Sequence, residues 1–442
     1  MTAPTVYQVS DGITLRVLKA EQFKAGMLSV SVVLPIDRQK TPLTSLLLSV
    51  LRRGTEKYPT LADINRRLDY LYGTGLSIRN FYRGDSQIIG FAADLLDQVY
   101  LPTSENLTAG VLELIEEILF HPALDENGLL SAKYVESEKQ LQCDAIRAQK
   151  NNPRSYASDR CRELMLTDEP AGVPVYGSVE EVEAVTSDQL TAHWRALLSE
   201  MTFDCFYVGR DKPEKVVTAL QQALGAHTAG RSAKNAIRPI IIRHAKTVKR
   251  YEEELPVSQG QLILAYRTGT RLDDREFYAC TVMNEMLGLS PVSKLFVNVR
   301  ERLSLCYFCT SHYNAYKGVL MIHCGLSPAN RESAEVEILT QVRSIQDGSF
   351  TDWELDAAKK SIRNAYRQLE DSPAALENFY FGRTLMDIKI SAEHCRAAFD
   401  AISREDVIRA ANALTLDTVY YLDGTLTGEE GDDCDGEHEF DD

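Results

Sequence analysis

The sequence has only two tryptophans in 442 residues, and no stretch of it approaches 18 uninterrupted apolar residues. The second absence argues against a membrane-spanning helix. The opening MTAPTVYQVSDG lacks a basic segment followed by an apolar one, so it does not read as a secretory signal. Basic residues are in deficit, 48 Lys+Arg against 64 Asp+Glu, giving a net charge of −16 with no basic stripe. Neither nucleic acid nor an anionic membrane is an expected partner for such a chain. The nine cysteines are an odd number, scattered through a long sequence. They read as reduced thiols of a cytoplasmic protein.

Catalytic signatures are also missing. No two of the eight histidines (121, 193, 227, 244, 312, 323, 394 and 438) lie within eight residues of each other. A helical H-x-x-E-H pair, which sets two imidazoles on one face for zinc, is therefore absent. There is no P-loop, no G-x-S-x-G and no complete G-x-G-x-x-G; Gly73-Thr74-Gly75 reads as a turn. The single C-x-x-C, Cys306 to Cys309, falls in a strand-like stretch, where residues i and i+3 point to opposite faces, and is read as packing. His193, beside Trp194, reads as a helix-surface or satisfied core residue.

What is present is an ordinary globular composition, 44% hydrophobic and 25% charged, with length for two or three domains. Nine of the fourteen residues from Glu429 to Asp442 are acidic. That tail is expected to be disordered, and its acids lack the alternating spacing of a calcium loop. Without it the chain carries about −7.

The chain repeats itself. AKYVESEKQLQCDAIRAQKNNP, ending at Pro153, matches WELDAAKKSIRNAYRQLEDSP, ending at Pro373. Both are amphipathic helix patterns stopped by a proline. Thr186 with Gln189, and Ser403 with Asp406, are paired helix-start signals, each followed by a helix and then a strand, FDCFYVG or TVYYLDG. Hairpins turn at Gly84 and Gly318. One order of features at a slowly drifting offset marks two copies of a unit of roughly 215–235 residues. The first copy carries extra residues, placed at Tyr100 to Gly110. Leu107, Val111, Leu114, Ile115, Ile118 and Leu119 make one apolar helix face, with Ile338, Leu339, Val342 and Ile345 as its counterpart.

Strands grouped with intervening helices predict an α+β fold of two tandem homologous domains, each an antiparallel-rich sheet with helices packed on one face. The expected spans are 1–228 and 229–428, with a linker at about 227–246 whose apolar run forms a short strand, and the tail at 429–442.

Lys40 to Thr55, KTPLTSLLLSVLRRGT, resembles without a gap the zinc-site segment K-T-G-L-A-H-F-L-E-H-M-L-F-K-G-T of the insulinase-like metallopeptidases, the family of pitrilysin and mitochondrial processing peptidase. Cys280 to Ser311, CTVMNEMLGLSPVSKLFVNVRERLSLCYFCTS, resembles that family's segment L-N-x-x-L-G-x-x-x-x-S-x-L-F-x-x-V-R-E-x-x-x-L-x-Y. The resemblance spans essentially the whole chain and implies the family's tandem α+β fold. Within the family it looks like the paired bacterial peptidase-like proteins linked by name to elongation-factor-P aminopentanol modification.

In this alignment Ser45 and Ser49 replace the zinc-binding histidines, and Leu48 replaces the glutamate that activates water. Ala145 falls near the third ligand, at a longer spacing than in typical members. Serines and an alanine do not supply what zinc requires, and a leucine is no general base. No catalytic residue, metal or cofactor is therefore expected at this position.

The resemblance implies a paired role, since many family peptidases of this half-length work in pairs, one subunit holding zinc and the other able to lend an Arg/Tyr pair that holds the substrate. The matching residues here are Arg300 and Tyr307. The resemblance also implies substrate added as a strand along Leu76 to Phe81. The expected role is a zinc-free, non-catalytic substrate-binding subunit of a heterodimeric processing peptidase. Its partners would be a zinc-bearing H-x-x-E-H homologue and a peptide or protein substrate. The alternative is a structural or assembly scaffold with no role in proteolysis.

Overall fold

The computed structural model describes residues 3–102, 105–232, 237–242 and 244–425; the acidic tail lies outside the described residues. The first copy runs β1 (Thr5–Ser10), β2 (Ile13–Lys19), β3 (Ala25–Pro35), α1 (Lys40–Leu51), α2 (Leu61–Tyr70), β4 (Leu76–Arg83), β5 (Ser86–Leu96), α3 (Leu107–Phe120), α4 (Ala132–Ala148), α5 (Pro153–Met165), α6 (Val179–Glu183), α7 (Ser187–Glu200), β6 (Phe203–Gly209) and α8 (Pro213–Leu224). The second runs β7 (Lys249–Leu255), β8 (Gly260–Arg267), α9 (Phe277–Asn284), two wide-turn π-helical segments (Glu285–Leu289 and Leu295–Arg302), β9 (Phe308–Asn314), β10 (Val319–Leu326), α10 (Arg331–Gln346), α11 (Asp352–Gln368), α12 (Pro373–Thr384), α13 (Ala392–Asp400), α14 (Arg404–Asn412) and β11 (Thr415–Gly424).

The duplication is written into the sheets. One has the order β1-β2-β6-β3-β5-β4 and the other β7-β11-β8-β10-β9. Apart from the added edge strand β1, the two orders are the same. Each sheet is antiparallel except for one parallel pair, β2 with β6 and β7 with β11. Both hairpins turn on a glycine with positive φ, Gly84 at 59° and Gly318 at 65°, a region costly for other residues.

Local signals explain the helix starts. Pro153 and Pro373 each open a helix, because a first-turn proline has no N–H to leave unpaired. Asn152 and Ser372 cap those helices, and Thr186/Gln189 and Ser403/Asp406 form complete capping boxes. The predicted face of α3 is wholly buried, while on α10 Leu339 is only half-buried and Ala334 joins the core. The apolar run after Pro239 is not a strand among the described residues; the Ile240 N–H is satisfied instead by the Asp85 carboxylate at 2.7 Å.

The compact units differ from the continuous spans 1–228 and 229–428. Unit 1 comprises Met1–Arg147, Asp168–Ile240 and Ala365–Cys395; unit 2 comprises Ala148–Thr167, Ile241–Asn364 and the chain from Arg396 on. Each copy thus gives one helix to the other's unit. In unit 1, α12 packs on β3 and β6; in unit 2, α5 packs on β8 and β11, the equivalent strands.

Buried polar contacts anchor both exchanged helices. On α12, Glu377 accepts from Arg79 Nη1 and Ser29 Oγ, each at 2.8 Å. In the other unit, Arg267 pairs with Asp417 at 2.9 Å and donates to the Met165 carbonyl at the end of α5. Further along α5, Tyr156 and Arg160 both bind Glu253.

Candidate functional site

In unit 1 the segment that resembles the insulinase-like zinc motif is the buried helix α1. Leu46, Leu47, Leu48, Val50 and Leu51 all belong to the hydrophobic core, with Leu48 only 2% exposed. A carboxylate at that position would face hydrocarbon instead of substrate. Ser45 is buried and Ser49 half-buried.

The Ser45 hydroxyl is fully engaged. Its oxygen lies 2.6 Å from the Val175 carbonyl and 3.1 Å from the Thr41 carbonyl, and it accepts from Asn80 Nδ2 at 2.8 Å. Asn80 is steadied in turn by Gln87 at 2.9 Å. The segment around Val175 also receives Gln142 of α4, whose amide donates to the Tyr176 carbonyl at 2.9 Å. Backbone carbonyls of the chain itself thus occupy the hydrogen-bonding positions between α1 and α4.

Ala145, matched to the third ligand in the sequence alignment, is exposed on α4. The inward-facing residues of that helix are Val135, Glu138, Gln142 and Cys143. Glu138 is already held by Arg53, at the end of the zinc-motif segment. Ser45, Leu48 and Ser49 lie together on one helix, and on α4 it is Gln142 whose side chain reaches the Val175–Tyr176 loop.

A cavity of about 840 Å³ opens beside the start of α1, lined in part by Arg16, Asp37, Lys40, Thr44, His193 and Asp204. His193 is a satisfied side chain, its Nε2 lying 2.8 Å from Thr44 Oγ1. Burial, reinforced by Lys40, pushes its pKa down to about 4. The strand Leu76–Arg83 is the edge of its sheet, paired with β5.

In unit 2, Arg300 sits in the last turn of the second π-helical segment and Tyr307 immediately precedes β9. Arg300 is 44% exposed, lies 3.6 Å from Glu301 and stacks on the Phe296 ring at 4.8 Å. Tyr307 is 58% exposed, so it is not a core residue, and its N–H is tied to the Gly325 carbonyl at 2.8 Å.

The cysteines depart from strand alternation in one respect. Cys306 precedes β9 and so escapes strand alternation; its thiol meets those of Cys309 and Cys324, which are cross-strand partners. Hydrogen bonds from these two thiols, with Arg300 nearby, hold the Cys306 thiol well below its ordinary value.

One cluster escaped the sequence reading altogether. Glu116, His121 and His227 of unit 1 bring one carboxylate oxygen and two imidazole nitrogens within 4.8 Å of one another. With Glu116 and His227 111 residues apart, no local spacing announces it.

The chain is similar to several known proteins. Residues 184–362 match the family model described as "Peptidase M16 inactive domain". The chain is 29% identical over 417 residues to the "Probable inactive metalloprotease YmfF" of Bacillus subtilis (strain 168), covering 94% of this chain and 96% of the relative. It is 21% identical over 316 residues to the "Uncharacterized zinc protease YmxG" of the same organism, covering 70% and 74%. A crystal structure of a conserved protein from Enterococcus faecalis has the same fold, with a TM-score of 0.88 at 23% identity, covering 96% of this chain and 99% of that one. Among the described residues no helix is long and apolar enough to cross a membrane.

Proposed function

For an M16, insulinase-like peptidase homologue whose zinc-motif helix carries no ligands, we propose the role of a non-catalytic, substrate-binding subunit that works with a zinc-bearing H-x-x-E-H homologue. The observation that carries this reading is Ser45: its hydroxyl is closed off by Val175, Thr41 and Asn80, beside a Leu48 buried in the core. A helix built in this way contributes packing, and the hydrolytic chemistry must come from another chain.

The substrate-binding part rests on Arg300 and Tyr307. Both side chains are substantially exposed. A guanidinium offers several fixed donors and a phenol one more, a set suited to peptide carbonyls next to a scissile bond. The sheet-edge position of Leu76–Arg83 supports the same reading, since an edge strand can accept an extended peptide. The scaffold alternative draws on the contacts Arg300 already makes with Glu301 and Phe296.

Affinity capture of the chain from native lysate tests the pairing. The expected result is co-purification of an H-x-x-E-H relative in equal amount. Recovery of the chain alone, from cells that express such a relative, would oppose the proposal.

A further inference from the structure

We propose that Glu116, His121 and His227 form a binding site for one divalent first-row transition-metal cation such as Zn²⁺, separate from the zinc-motif helix.

The geometry is close to a coordination shell. Glu116 Oε1 lies 3.1 Å from His121 Nε2 and 2.8 Å from His227 Nε2. Around a tetrahedral zinc with bonds of 2.0–2.1 Å, neighbouring ligand atoms stand about 3.3 Å apart. The two carboxylate–imidazole edges thus need only a slight opening. The two imidazole nitrogens lie within 4.8 Å of each other.

The fold presets these positions. Helix α3 ends at Phe120, and His121 leaves helical geometry at φ −127°, ψ 49°, so its ring turns back toward Glu116 on the preceding turn. His227 sits on the single turn Gly225–Thr228 that follows α8, and α8 packs on α3. Its ring stacks on Phe120 at 3.7 Å between centroids, with 14° between the planes, and Phe120 meets Phe203 edge-on. That stacking fixes the His227 imidazole, as a preorganised ligand requires.

The electrostatics suit a cation. The site combines a carboxylate with the C-terminal end of α3, where helix carbonyls concentrate partial negative charge. The side chains are 17%, 43% and 27% exposed for Glu116, His121 and His227, so an ion can enter and keep a water as fourth ligand. Two neutral imidazoles and one carboxylate suit zinc, cobalt or nickel better than calcium or magnesium, which prefer all-oxygen shells.

The test uses the full chain without an affinity tag, stripped with chelator and titrated with ZnCl₂ by calorimetry and with CoCl₂ by visible absorption. The expected result is one equivalent of either metal per chain, the strong visible bands of tetrahedral cobalt, and a melting temperature that rises with zinc. Glu116→Gln and His227→Asn should each weaken binding about a hundredfold or more, as expected for loss of a ligand. Their melting temperatures in chelator serve as the check on folding. If His227→Asn fails to fold, His121→Asn provides the same test at the more exposed ligand. No stoichiometric uptake by the wild-type chain, or uptake unchanged in folded ligand variants, would overturn the assignment.

Discussion

The Ser45 hydroxyl lies 2.6 Å from the Val175 carbonyl, at the position that aligns in sequence with the first histidine of the insulinase-like motif it resembles. The contact joins α1 to a segment that also caps Gln142 of α4. Ser45→Ala removes the donor to Val175 and the acceptor for Asn80 inside the protein. The expected cost is about 1–3 kcal/mol, read as a lower denaturation midpoint with unchanged m-value. A neutral result would mean that this hydroxyl is not part of the packing.

Restoring the motif should fail. In the variant Ser45→His/Leu48→Glu/Ser49→His, the glutamate enters a position 2% exposed and surrounded by leucines. Leu48→Glu alone is expected to cost about 3 kcal/mol or more, because a buried carboxylate must be paired or neutralised. Thermal melting and peptidase assays check this; a stable, active triple variant would show that the site is only lightly altered.

The exchanged helix α12 depends on its buried ion pair, with Arg79 and Glu377 8% and 3% exposed. Glu377→Ala strands the guanidinium and should destabilise by about 3–5 kcal/mol, whereas Arg79→Met with Glu377→Leu should be far milder. Urea unfolding of the three proteins decides the matter; equal losses in both variants would contradict it.

Stability should decline in mild acid. Burial lowers the pKa of both His193 and His323 from 6.5 to about 4. Below pH 6.5 the unfolded chain takes up protons that the folded chain refuses, so stability present above pH 6.5 is lost as pH falls toward 4. Each residue contributes a slope of up to about 1.4 kcal/mol per pH unit in that window. His193→Gln should flatten the profile relative to wild type, as measured by unfolding free energy between pH 7 and 4.5; parallel profiles would contradict the assignment.

The fold was largely legible because the repeat is marked by residues whose reasons are local. Glycines at 84 and 318 turn hairpins, prolines at 153 and 373 start helices, and Thr186 and Ser403 cap them. The exchange of α5 and α12 was not legible, since an amphipathic helix does not encode which of two equivalent sheets it covers. Ala145 comes from the family alignment and not from periodicity; it is exposed on α4, three residues beyond the buried Gln142. The C-x-x-C thiols meet because Cys306 lies outside the strand, a boundary that period-two patterning could not fix. The triad of Glu116, His121 and His227 is long-range and leaves no motif.

The central claim is that this chain holds substrate for a zinc-bearing partner, and the most direct measurement is kcat/KM of the reconstituted pair. The chain alone should be inactive, and adding it to the H-x-x-E-H homologue should raise peptide cleavage. Arg300→Ala and Tyr307→Phe should leave folding and pairing intact while each lowers kcat/KM. Losing one such donor costs about 1–3 kcal/mol, which at 1.4 kcal/mol per tenfold is up to about a hundredfold. Full turnover by a folded, paired Arg300→Ala/Tyr307→Phe double variant would contradict the account.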